Sequence, residues 1–321
     1  MKRIFLRASL VLAVISAIIA ILAFIVITPD IDRATLEARY SGPNSQFVEW
    51  ENGARVHYRD EGNRNGPTVV LIHGSNASLN TWEPWVALLG EDYRLVSMDL
   101  PGHGLTGPVP NNNYSIAEMS NFVAALMDQL GVERAYLAGN SMGGAVSLQF
   151  AIDHPDRIDG LILISAAGMR RDIDDAPVGA FRFTQTAIGR ALLAYITPRF
   201  MIKRSIEKVV ADPDHFVTDE MVTRYWELLR MVGSREASAV RFSGYAQRAP
   251  LEPRLGEITA PSLILWGLKD SLIKPKYGER MHNALQNSEL IIYENAGHLA
   301  MEEIPEITAG ATRQFIETTR R

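Results

Sequence analysis

Gly139-Asn140-Ser141-Met142-Gly143-Gly144 lies between an apolar, strand-like run at 135–138 and a helix-like run at 145–154. The spacing G-x-S-x-G between a strand and a helix is a pattern that exposes a serine hydroxyl on a sharp turn. A turn this tight forces the serine into a sparsely populated backbone conformation. Side chains two residues before and after it would collide, and Gly139 and Gly143 carry none. The helix that follows points its first amides at the same spot, where they can hold a developing oxyanion.

A serine hydroxyl is a weak nucleophile until a positioned base takes its proton, and that base needs a carboxylate to fix its tautomer. Working outward, the short apolar run 262–266 follows Pro261 and ends in Gly267-Leu268-Lys269-Asp270, which puts Asp270 on a loop after a buried strand. A second short run, 290–293, leads into Glu294-Asn295-Ala296-Gly297-His298, so His298 lies just past a strand end. Among the seven histidines, His298 alone comes after Asp270 and directly follows a strand and a glycine turn. His282 falls in a helix-like stretch, His154 at a helix end, His57 in an alternating strand and His215 in a polar turn. Asp172, Asp174 and Asp175, after the apolar run 161–165, are the alternative source of the acid. Leu71-Ile72-His73-Gly74-Ser75-Asn76 ends another strand, with His73 read as a brace for its loop. Asp99-Leu100-Pro101-Gly102-His103-Gly104 ends the next and reads as a turn that shapes the site.

Together, His73-Gly74, 99–104, 139–144, Asp270 and Gly297-His298 resemble the α/β-hydrolase fold superfamily over residues 46–320. The resemblance implies a mostly parallel sheet flanked by helices and the chain order Ser, acid, His, hence a Ser141–His298–Asp270 triad. It also implies an oxyanion hole from the amides of Met142 and Ser75, with Asn76 as the second choice of donor and a substrate-binding residue. Esterases, lipases, carbon–carbon bond hydrolases and cofactor-free haloperoxidases share these signatures. Epoxide hydrolases and haloalkane dehalogenases carry aspartate where this chain has Ser141.

Strand and helix patterns alternate from residue 47 to 168, which argues for a parallel sheet whose site lies beyond the carboxyl ends of its strands. An early hairpin, 47–50 with 55–59, turns through Asn52-Gly53. Between Gly168 and Pro261 the strands stop and helical patterns take over at 187–195, 201–210, 219–232 and 237–245. This length far exceeds the usual 2–6 residues of such a connection and predicts a helical cap inserted after the sixth strand. Some of Phe181, Phe183, Tyr195, Phe200, Tyr225 and Trp226 are expected to line an apolar acyl pocket beneath it. The domains expected are an anchor at 1–28, a linker at 29–45, the hydrolase core at 46–168 and 258–321, and the cap at 169–257.

Residues 8–27 carry no charge and only two serines, enough to cross the roughly 30 Å hydrocarbon core as a helix. Lys2, Arg3 and Arg7 precede it, which predicts a single-pass signal anchor with a cytoplasmic N-terminus. The catalytic body would then lie outside the cytoplasm, in the periplasm if the source is bacterial. A cleaved signal peptide is the competing expectation, but no A-x-A-like site closes the run. The net charge of −5 gives no support for nucleic-acid binding. There are no cysteines, no H-E-x-x-H and no Gly-rich phosphate loop, so no metal or other cofactor is expected. With the resemblance, these features predict a membrane-anchored serine esterase or lipase acting on small-molecule or lipid esters, acylglycerols being one candidate. The alternative is a carbon–carbon bond hydrolase of the meta-cleavage-product type. A non-catalytic binding protein with a relic site is disfavoured by the intact Ser141, Asp270 and His298.

Overall fold

The computed structural model describes residues 27–175, 195–243 and 250–320, with isolated positions at 13, 14, 16, 186 and 189. One sheet contains β1 (Ser45–Glu49), β2 (Arg55–Gly62), β3 (Thr68–Ile72), β4 (Arg94–Met98), β5 (Ala135–Asn140), β6 (Ile158–Ile164), β7 (Ser262–Gly267) and β8 (Ser288–Tyr293). Their spatial order is β1-β2-β4-β3-β5-β6-β7-β8. The β1–β2 and β2–β4 pairs are antiparallel and every other neighbour is parallel. The first hairpin turns where expected, with Gly53 at φ +79° and the Asn52 side chain accepting the Ala54 amide at 2.9 Å.

The central strands are apolar at nearly every position because parallel strands are covered on both faces. Alternate residues feed two cores. Val70, Ile72, Leu137 and Leu163 pack on one side with Phe122, Val146 and Phe150. Val69, Leu71, Ala138 and Ile162 pack on the other with Trp82, Trp85 and Phe315. Helices among the described residues are, in chain order, α1 (Arg33–Tyr40), α2 (Glu83–Leu89), α3 (Ile116–Gln129), α4 (Met142–Asp153), α5 (Arg199–Glu207), α6 (Pro213–Phe216), α7 (Asp219–Leu229), α8 (Ser234–Ser243), α9 (Lys276–Ala284), α10 (Ala300–Glu303) and α11 (Pro305–Thr319).

Helices α5 to α8 occupy the connection between β6 and β7, and no strand lies there among the described residues. Helix α8 starts three residues earlier than its apolar pattern, directly after Gly233, whose φ of +81° closes the preceding turn. The helix expected at 187–195, apart from Gly189 and Tyr195, and the aromatics Phe181 and Phe183 lie outside the described residues. Two pocket candidates point elsewhere. Tyr195 and Phe200 are 62% and 59% exposed, so they line no enclosed acyl pocket.

The expected membrane-crossing localisation is corrected. Among the described residues no helix is long and apolar enough to cross a membrane. Most of 8–27 lies outside those residues, but Ile27, the last position of the expected span, is extended and bridges Ile196. Thr28 then donates its amide to Tyr195 O at 3.0 Å, and Ile31 pairs with Met231. The linker stretch 29–45 is likewise docked, not free. Leu36 of α1 is fully buried, Arg55 pairs with Glu37, and Arg39 and Tyr40 both reach Glu227 of α7.

Candidate active site

Ser141 sits where β5 gives way to α4, at φ +53° and ψ −114°, outside the regions L-residues favour. The turn is as tight as its glycines suggested. A Cβ on Gly139 would lie 2.4 Å from Gly143 O, and one on Gly143 would lie 2.1 Å from Ile72 O. Both obstacles are backbone and cannot swing aside. The neighbouring strand fixes the turn, with Ser141 N donating to Ile164 O at 3.0 Å and Ala167 N to Ser141 O at 2.8 Å.

Asp270 follows β7 and His298 follows β8, so adjacent parallel strands deliver both to one end of the sheet. His298 Nδ1 lies 2.8 Å from Asp270 Oδ2, with both residues buried. The other carboxylate oxygen, Oδ1, accepts the Leu272 and Ile273 amides at 2.8 and 2.9 Å. An acceptor held this way keeps the proton on Nδ1 and leaves Nε2 free to take another. Asp172 and Asp175 are engaged elsewhere, with Lys276, Arg280 and Lys274. The Lys partners hold both carboxyls below the usual range.

The backbone around His298 is clamped from three directions. Its amide donates to Val209 O in the α5–α6 connection at 2.7 Å, and its carbonyl accepts from Asn140 Nδ2 at 3.0 Å. The Glu303 carboxylate takes the amides of Gly297, Leu299 and Ala211 at 3.0, 3.1 and 2.7 Å. Gly297 is required, because a Cβ there would meet Val209 O at 2.4 Å. The Asn140 bond ties the His298 turn to the residue beside Ser141. The Asn76 loop closes in from the other side, where a Cβ on Gly74 would be 3.3 Å from Ser141 Cβ.

Asn76 is itself left-handed, at φ +60°. Its side-chain Oδ1 accepts from Ser238 and Arg241 of α8. His73 behaves as a brace. Its Nδ1 donates to Gly74 O at 2.7 Å and its Nε2 accepts the Leu100 amide at 3.0 Å. Burial lowers its pKa and lowers that of His103 further, with the Arg241 charge adding to burial at His103. Asp99 accepts the Leu79 and Leu105 amides and meets His57 Nδ1 at 2.7 Å, which pins the turn to β2. Burial works to raise the Asp99 carboxyl, but the attraction of His57 outweighs it and leaves Asp99 below its usual value. Asn140, Arg241 and Glu303 escape a reading of the sequence. Glu303, five residues past His298, had the only usable signal, an acid placed to fold back on the turn before its own helix.

Next to Glu303, the Glu302 carboxyl turns inward and accepts from Thr81, and burial pushes it up to about 7. A carboxyl whose folded pKa is raised favours the folded state while protonated. Its contribution is therefore complete below the unfolded value and is lost as pH rises through about 7. Glu302→Gln should flatten the loss of stability between pH 5 and 8. Water reaching the half-buried carboxyl screens part of this penalty, so the variant should gain roughly 2 kcal/mol over the parent at pH 8. Urea unfolding at both pH values measures it, and equal slopes for the two proteins would count against it.

The sequence model of the alpha/beta hydrolase fold family matches residues 67–305. A 2-hydroxy-6-oxo-6-phenylhexa-2,4-dienoate hydrolase from Comamonas testosteroni is 30% identical over 260 residues, covering 77% of this chain and 86% of that protein. The crystal structure of a bacterial membrane phospholipase A is similar along 100% of both chains, with a TM-score of 0.74 and 27% identity. An esterase from Thermogutta terrifontis shares the fold, with a TM-score of 0.73 and 23% identity over 86% of this chain and 99% of its own.

Proposed function

Since the chain belongs to the α/β-hydrolase fold family, we propose that it is a serine hydrolase that cleaves carboxylic esters through an acyl-enzyme on Ser141. One observation carries this reading. The buried His298–Asp270 pair, 2.8 Å apart, hangs from a turn bonded to Asn140, the neighbour of Ser141. In the reaction, Ser141 Oγ attacks the ester carbonyl as His298 Nε2 takes its proton. The amides of Met142 and Ser75 hold the oxyanion, and His298 protonates the leaving alcohol. Water, deprotonated by the same imidazole, then attacks the acyl carbonyl and frees the acid and Ser141. The likeness to the phospholipase A over the full chain supports an ester substrate.

A second reading is hydrolysis of a carbon–carbon bond next to a ketone. It is favoured by the Comamonas testosteroni relatives named as hydrolases of 2-hydroxy-6-oxo dienoates, 30% and 27% identical. The same serine, base and oxyanion donors would serve, with a carbon leaving group protonated in place of an alkoxide. Assaying p-nitrophenyl butyrate beside 2-hydroxy-6-oxo-6-phenylhexa-2,4-dienoate separates the two. The ester is expected to win by about 10²-fold or more in kcat/KM, a difference of about 2.7 kcal/mol in transition-state stabilisation. A preference for the dienoate would overturn the ester reading and establish the second.

A further inference from the structure

We infer that Arg241 is a positioning residue that holds the oxyanion loop in register with the Ser141 turn, so that the hole is complete only while α8 is seated on it. This rests on the reading of Ser141 as the nucleophile. The Arg241 side chain is buried at 4% exposure and reaches from α8 to both walls of the site. Its Nη1 donates to Ser75 Oγ and lies 3.5 Å from Met142 Sδ. Its Nη2 donates to Asn76 Oδ1 at 2.6 Å and to Ser238 Oγ at 3.2 Å. One planar group therefore bridges Ser75 and Met142, the two residues whose amides are assigned to the oxyanion.

The loop needs that support. Asn76 stands at φ +60°, a left-handed conformation that asparagine adopts more readily than most L-residues but that neighbouring contacts must still select. Within the loop the Ala77 amide reaches Gly74 O at a long 3.3 Å. Two bonds from α8, those of Arg241 and Ser238, converge on the Asn76 side chain and fix its direction. A guanidinium suits the task because its donors form a rigid fork, whereas an ammonium is a single point. Burial lowers the pKa of both His73 and His103, next to this charge, which disfavours a second cation beside it. Helix α8 is fastened in turn by the N-terminal strap, since Arg235 donates to Thr28 Oγ1 at 3.1 Å and to Asp30 at 2.5 Å.

The test uses the full chain with Arg241→Met, Arg241→Lys and Ser238→Ala, assayed on p-nitrophenyl butyrate and its thionoester. Amide donors aimed at an oxyanion serve sulfur poorly, so the ester-to-thionoester ratio of kcat/KM reports the hole and not the fold. Arg241→Met should lower kcat on the ester about 10²-fold, as loss of an oxyanion donor does, with KM within about threefold. The ratio should fall about tenfold, and Arg241→Lys should recover only part of the loss. Ser238→Ala should move the ratio in the same direction by a smaller factor. Activity lost with the ratio unchanged would overturn the proposal and leave Arg241 a role in folding alone. Unchanged activity would overturn it as well. If circular dichroism shows Arg241→Met unfolded, the lysine and Ser238 variants decide, and an unchanged ratio in both overturns it. Turnover that survives Ser141→Ala would instead defeat the nucleophile assignment, a result separable from any outcome at Arg241.

Discussion

Ser141→Ala should cut p-nitrophenyl ester turnover by about 10⁶-fold while leaving the folded protein intact, because only the hydroxyl is lost and that hydroxyl is the proposed attacking group. Alanine keeps the Cβ, so the strain at φ +53° stays the same and the amide bonds to Ile164 and from Ala167 are untouched. The urea midpoint should therefore correspond to a stability within about 0.5 kcal/mol of the parent. A fluorophosphonate should label the parent and not the variant. Variant turnover above about one part in 10³ of the parent would place the nucleophile elsewhere.

Asp270→Asn should cost about 10⁴-fold in kcat, for a reason visible in the hydrogen bonds. The Leu272 and Ile273 amides both donate to Asp270 Oδ1. An asparagine must keep its oxygen there to satisfy them, which turns its NH₂ toward His298 Nδ1. The imidazole then accepts at Nδ1 and carries its proton on Nε2, the wrong tautomer to deprotonate Ser141. Asp270→Ala should add a folding penalty of about 1–3 kcal/mol by orphaning both amides. Comparing kcat with urea stability for the two variants isolates the tautomer effect, and an asparagine variant at parental kcat would remove Asp270 from the triad.

The elbow, Asp270 and His298 could be read from the chain because each is a local signal: a glycine spacing, or a short apolar run followed by a polar turn. Arg241 and Asn140 could not. Arg241 acts across 166 positions to reach Ser75, and nothing in its helix marks it off from a solvated arginine. Strand limits also moved for physical reasons. Edge strand β8 opens on Ser288 and Glu289, half-buried or exposed positions that hydropathy passes over. β6 starts at Ile158, ahead of Asp159 and Gly160, because its ladder with β5 decides the boundary, not its polarity. At the N-terminus hydropathy alone misled. An apolar run says nothing of its own backbone partners, and Ile27 has one in Ile196.

The placement of α5 to α8 between β6 and β7 puts Asp270 and His298 late in synthesis. A chain stalled before Ser262 carries Ser141 but neither Asp270 nor His298, so on the proposed mechanism it has no assembled base. Pairings between segments this far apart in the chain form slowly. In refolding, recovered hydrolysis should therefore keep pace with the burial of Trp266, which lies in β7 itself, and time-stamp the docking of the last two parallel strands.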